Sequence, residues 1–179
     1  MNKRIEIPAD KLNMNVCSLW SKDWLLLSAG DFAAKQYNMM TVGWGSFGVM
    51  WGKPFAMVVV RPQRFTRGFI EKSGCFTLCA FPEPYRAALS FCGAKSGRDF
   101  PDKAAAAGLS ACASKCVSAP AYDEAELVVE CSVNYRSAFD GAKMTDPGIL
   151  EKWYPGKDLH AVYFGEILHI SGTEKYLAR

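Results

Sequence analysis

The sequence predicts a mainly β protein: a mostly antiparallel β-barrel with a few peripheral α-helices. Three observations carry that expectation. Strand-length apolar runs separated by Gly and Pro dominate the first half of the chain. Candidate helices are few and short. Helices and strands do not alternate regularly, which argues against a doubly wound parallel sheet and for a barrel whose openings helices cover.

The elements follow in order. Residues 24–29, 39–44, 55–60 and 75–80 are rich in Val, Phe, Leu, Met and Trp and lack helical spacing, so each reads as a strand. Residues 127–135 and 161–170 form a closing pair of the same kind. Between them lie three helices, at 65–72, 84–92 and 102–107, the last ended by Gly108. Residues 138–158 are rich in Gly, Pro and charge and read as a long surface excursion over the barrel. Too little chain follows that excursion to fold alone, so residues 1–179 are expected to form one domain.

Composition narrows the function classes. With 50% apolar and 22% charged residues, the chain is globular and not disordered. A chain of 179 residues buries roughly two thirds of its unfolded surface, so it needs neither metal nor disulfide to fold. The net charge of +3 is spread thinly, without the Lys/Arg block that tracks a nucleic acid or an anionic membrane. A small anionic ligand suits it better. The N-terminal stretch is charged, with no apolar run behind it, and no run is long enough to span a bilayer. Cys17, Cys75, Cys79, Cys92, Cys112, Cys116 and Cys131 are odd in number and irregularly spaced, as expected of free thiols in a reducing compartment such as the cytoplasm.

Gly43, Gly45 and Gly48 match the dinucleotide fingerprint G-x-G-x-x-G letter for letter. That fingerprint needs a helix opening at its third glycine. Gly52 and Pro54 would break such a helix within its second turn, so the segment reads as strand, bend and strand with close backbone approach.

Three polar groupings are candidate ligand sites. Arg61, Arg64, Thr66 and Arg67 stand at a strand-to-helix junction, where guanidiniums and free helix amides suit a terminal phosphate; alternatively Thr66 caps the helix and the arginines are solvated or paired. Gly93, Ser96, Gly97, Arg98, Asp99, Asp102 and Lys103 form a loop that could turn amides and cations toward an anion, or serve only to end one helix and start the next. Asn38, Met39, Met40 and Thr41 could face a planar ring with amides and soft apolar contacts, or fill core. The chain has two histidines, His160 and His169, and neither stands at ligand spacing from a Cys or another His. Cys112 and Cys116 lack two further ligands, so no metal site is expected. No cysteine sits in a nucleophile signature.

In their order along the chain these groups resemble the flavin reductase-like family of FMN-binding split barrels, including its flavoredoxin-like members. The fragments that carry the resemblance are LLLSAGD, NMMTVGWGSFGVMWGKP, RPQRFT, CGAKSGRDFPDK and HAVYFGEI. The resemblance implies a split barrel that forms a homodimer with flavin near the interface, FMN as the flavin with FAD as the alternative, and NAD(P)H as reductant. It places Asn38, Met39, Met40 and Thr41 beside the flavin ring. It places Arg61, Arg64 and Thr66, with Ser96, Gly97, Arg98 and Lys103, near ribityl and phosphate. In related short reductases a histidine five residues before a Gly-Glu pair lies near the nicotinamide. His160 stands five before Gly165-Glu166 and is the candidate catalytic side chain. Two rival readings remain: an FMN electron carrier reduced by a redox partner protein, and a split barrel that has lost flavin and serves as an interaction module.

Overall fold

The computed structural model describes residues 3–178. In chain order the elements are β1 (Ile5–Glu6), α1 (Val16–Ser18), β2 (Leu25–Asp31), β3 (Gln36–Val42), β4 (Gly45–Met50), β5 (Lys53–Val60), α2 (Thr66–Ser73), β6 (Cys75–Ala80), α3 (Arg86–Ala94), α4 (Lys103–Ala106), β7 (Ala111–Cys112), β8 (Ala121–Tyr122), β9 (Leu127–Ala138), α5 (Pro147–Trp153) and β10 (Ala161–Gly172).

One antiparallel sheet runs in the order β3-β2-β6-β9-β10-β5-β4, with β1 added beside β10. Its two outermost strands are consecutive in the chain, separated only by Gly43 and Trp44. The sheet therefore has to curl until its edges meet. No ladder joins β3 to β4 among the described residues, so the barrel stays split along that seam.

Alternate side chains point inward. Leu25 and Leu27 of β2, Val58 and Val60 of β5, Phe76 and Leu78 of β6, and Leu127 and Val129 of β9 make the barrel core. The opposite faces of β2, β3, β6 and β9 are buried too. There Leu26, Met39, Cys79 and Val128 pack under Leu89 and Cys92 of α3, Ala104 of α4 and Tyr122 of β8. Burial on both faces is why these strands read as unbroken apolar runs instead of alternating ones.

The glycine-rich segment forms strand, two-residue bend and strand, as the Gly and Pro spacing indicates. Gly43 and Gly45 answer to tryptophan packing. Trp20, carried on a wide helical turn at Leu19–Asp23, plugs the seam 5.5 Å from the ring of Phe47. A Cβ on Gly45 would fall 2.4 Å from the Trp20 ring and 2.5 Å from the carbonyl oxygen of Met57.

Residues 138–158 hold more order than their composition suggests. Asp146 accepts a hydrogen bond from the amide of Gly148, Pro147 takes the first helical position, and α5 follows. Side-chain cap and proline together nucleate a helix that high Gly and Pro content disguises.

Because one of its two clashes is with backbone, Gly45→Ala cannot be relieved by a rotamer change. It is expected to destabilise the chain by about 2–3 kcal/mol, the upper part of the overpacking range, read as a lower urea midpoint at unchanged m-value.

Candidate functional site

The segment leaving β5 sends its three arginines to three places. Arg61 pairs with Asp158 at 2.5 Å, donates to the carbonyl of Trp153 at 2.8 Å and lies over the Tyr154 ring. Gln63 donates to the same carboxylate at 2.8 Å. Together they pin the excursion to the barrel, and Arg61 is thereby committed away from the phosphate role expected of it. Arg67 pairs with Glu71 at 2.9 Å, and Glu71 also accepts from the hydroxyl of Tyr163. Arg64 alone turns inward, donating to the carbonyl of Gly93 at 2.8 Å, and burial lowers its pKa.

Arg64 meets the second grouping there. Lys103 is only 4% exposed, and its ammonium donates to the carbonyls of Met39 and Cys92, each at 2.8 Å. Among the described residues no carboxylate pairs with it. Burial first, and the nearby Arg64 cation next, pull its pKa from 10.5 down to about 8; the Cys92 thiol pulls the other way. A buried ammonium held only by neutral carbonyls lacks a counter-charge, and an anion in reach of its donors would supply one.

Around that cation a cavity of about 180 Å³ is lined by Asn38, Met40, Arg64, Thr66, Ser96, Gly97 and Arg98. Thr66 is buried and accepts from the Asn38 amide at 2.8 Å instead of capping α2. A Cβ on Gly97 would sit 2.1 Å from the Asn38 side-chain oxygen, so only glycine lets this loop close on β3. Arg98 stacks 4.7 Å over the ring of Phe65, and its amide donates to Ser96. The helix-start reading of this loop holds, since Asp102 caps α4 by accepting from the amide of Ala105.

Within Asn38–Thr41 the side chains divide. Met39 belongs to the outer core, Met40 to the barrel core, and Thr41 donates to the carbonyl of Leu89. Further along β3, and sharing Met40 with the first, lies a second cavity of about 240 Å³, lined by Met40, Thr41, Gly43, Trp44, Arg61, Trp153 and His160. Trp44 and Trp153 meet edge to face at 5.0 Å across its mouth. His160 lies beneath, 5.2 Å from Trp44, with Nδ1 2.8 Å from the Tyr154 hydroxyl. Burial, helped by Arg61 and opposed by Asp158, moves its pKa from 6.5 to about 4, so the imidazole is neutral at physiological pH. Trp44 and Trp153 escape sequence reasoning because one lies inside the misleading glycine motif and the other in the apparent loop.

A curled antiparallel sheet, split at one seam and with two cavities along one strand, is a split barrel. A family model described as "Flavin reductase like domain" matches residues 24–177, and the chain belongs to that family. Among solved structures it is similar to an FMN-binding domain of a flavin reductase-like enzyme from Shewanella baltica, at 17% identity, TM-score 0.67, covering 96% of this chain and 78% of that one. It is similar to the flavoredoxin of Desulfovibrio vulgaris, at 19% identity, TM-score 0.67, covering 93% and 80%. It also resembles a flavoredoxin of Methanosarcina acetivorans, at 23% identity, TM-score 0.66, covering 93% and 76%. At such identities these likenesses show the fold. No curated protein matches the chain.

His160 provides a pH test of the pocket. Its folded-state pKa of about 4 lies below its ordinary 6.5. On acidification the unfolded chain therefore binds the proton first, and stability falls as pH drops from 6.5 to 4. NMR titration of the ring is expected to show a midpoint near 4, and His160→Gln to flatten that part of the stability profile; a midpoint near 6.5 would contradict the buried, neutral ring.

Proposed function

We propose that the chain binds FMN and acts as an NAD(P)H-dependent flavin reductase. The buried, counter-charge-free Lys103 carries this reading, because a flavin phosphate fits the donor set around it. Lys103, Arg64 and Arg98, with the hydroxyls of Thr66 and Ser96, hold the phosphate. The backbone of Asn38–Thr41 carries the flavin from the cradle toward the aromatic pocket. Trp44 and Trp153 wall that pocket and exclude water, and neutral His160 sits in it without adding charge. Bound flavin would supply the hydride chemistry; the protein's part is to fix the reacting rings at about 3–3.5 Å and orient them.

The flavoredoxins among the similar folds keep the electron-carrier reading in view. Mixing the flavin-loaded protein with NADH or NADPH and following the nicotinamide absorbance separates the two. Turnover supports the reductase. A yellow protein that leaves both nucleotides unoxidised supports a carrier reduced by a protein partner.

The chain also presents a face suited to a second copy of itself. Val49 and Trp51 are 72% and 63% exposed on the β4–β5 hairpin, and Trp51, Tyr135, Phe55 and Phe164 form one outward aromatic cluster. We take it as the homodimer face. All seven cysteines are free, which suits a reducing cytoplasm, and burial raises the thiols of Cys79, Cys92 and Cys131 and so keeps them unreactive. No helix among the described residues is long and apolar enough to cross a membrane.

Two outcomes are expected. Lys103→Met weakens FMN binding by about 10- to 100-fold, the worth of a charge-assisted hydrogen bond, and leaves riboflavin, which lacks the phosphate, within about 2-fold. In the unsubstituted protein FMN affinity falls as pH rises past 8, where free Lys103 loses its proton. Equal loss for riboflavin would locate the defect outside the cradle. For the dimer face, Trp51→Glu should shift the chain to monomer in analytical ultracentrifugation.

A further inference from the structure

The cavity of about 180 Å³ beside Lys103 carries charge of one sign. Arg64, Lys95, Arg98 and Lys103 line it, and among the described residues no carboxylate, imidazole or thiol does. Lys95 and Arg98 are exposed and Arg64 is half-buried, whereas Lys103 is buried. The cavity thus joins a set of solvated cations that suit a phosphate to one nitrogen held out of water.

That nitrogen is held in a particular way. An ammonium has three N–H bonds. Lys103 directs two of them at the carbonyl oxygens of Met39 in β3 and Cys92 in α3, each at 2.8 Å. The same two carbonyls satisfy both N–H bonds of the free amine, so losing a proton breaks neither contact. The third valence, a proton in one state and a lone pair in the other, is the one left for the cavity.

The surroundings favour the lone pair. Arg64 from the junction after β5 and Arg98 from the loop before α4 add positive charge to the same cavity. The Cys92 thiol is kept protonated by burial, at about 11, and burial likewise raises the phenol of Tyr37. Asp102, the carboxylate closest in sequence, accepts from the amide of Ala105. With its pKa lowered to about 8, Lys103 is about half free amine at pH 8, against roughly 1 in 300 for an ordinary lysine.

We propose that Lys103 is an acylation site, modified directly by acyl phosphates that use the cradle to bind. The phosphate end sits against the guanidiniums of Arg64 and Arg98, which brings the acyl carbon to the Lys103 nitrogen. The lone pair forms the N–C bond, and the C–O bond to phosphate breaks with its electron pair. The amine proton ends on the departing group, so amine and acyl phosphate dianion become amide and hydrogen phosphate. Nothing is oxidised or reduced. A donor that is already activated suits a cavity lined by no carboxylate or imidazole, because phosphate leaves without a general acid and the cations stabilise its charge. Acylation removes the buried charge and one N–H donor, leaving the carbonyl of Met39 or Cys92 without its partner. That the modified chain then loses flavin rests on the FMN assignment; the acyl transfer does not.

The test incubates the full chain, dialysed and without added flavin, with acetyl phosphate at pH 8 and follows each acetyl-lysine by peptide mass mapping. Lys103 is expected to react at least ~10-fold faster than Lys95 on the rim of the same cavity, its larger free-amine fraction outweighing the weaker nucleophilicity of a less basic nitrogen. Its rate should level off above pH 8, and inorganic phosphate should slow it by occupying the cradle. A rate at Lys103 no greater than at Lys95, or one that inorganic phosphate leaves unchanged, overturns the proposal. FMN added in place of phosphate keeps the two assignments apart. Protection by both ligands supports both, whereas protection by phosphate and not by FMN supports the acylation site and sinks the flavin reading.

Discussion

Everything in this molecule follows from the two-residue link between β3 and β4. Strands that are neighbours in sequence stand at opposite ends of the sheet order, so the sheet must wrap around its core to keep the chain continuous. The link is too short to contribute a strand of its own, and its one glycine, Gly43, packs against Trp20 and Trp24. A closed barrel would have no free edge along β3. The split leaves one, and both cavities open beside that strand.

Charge is deployed with the same economy of position. Three arginines within seven residues resemble one cluster in sequence, yet the turn into α2 spreads them over three functions: a strap, a cradle and a helix-surface ion pair. Lys103 completes the cradle from the far side of α3. Because its partners are carbonyls, its charge is not cancelled within the folded chain. Exposed ion pairs elsewhere, such as Lys143 with Asp140, have no comparable leverage.

The fold was largely legible because the central strands are buried on both faces and announce themselves as apolar runs. Helix ends were less so. The run expected to begin at residue 84 starts as a turn of 3₁₀ helix at Glu83–Tyr85 before α3 takes over, a difference that proline position alone does not reveal. In the site, Lys103, Arg64 and Gly97 were legible as a polar loop facing a polar junction. Arg61 was misplaced because its partner, Asp158, lies 97 residues away and no local pattern links them. The tryptophan pair was invisible for the same reason: Trp44 and Trp153 meet only once the excursion folds back.

That excursion is fastened chiefly by Arg61 and Gln63 on Asp158, with both partners of the ion pair about a quarter exposed to solvent at 27%. Salt partly screens that part of the fastening, while the buried Tyr154 ring and the Trp44–Trp153 contact add aromatic packing to it. Opening of this strap would expose the wall that bears Trp153 and leave the contacts of Lys103 to Met39 and Cys92 untouched. A ligand held at both ends would thus lose its grip on one end long before the other. Raising ionic strength would weaken the Arg61–Asp158 pair, and with it the aromatic end, without touching the barrel.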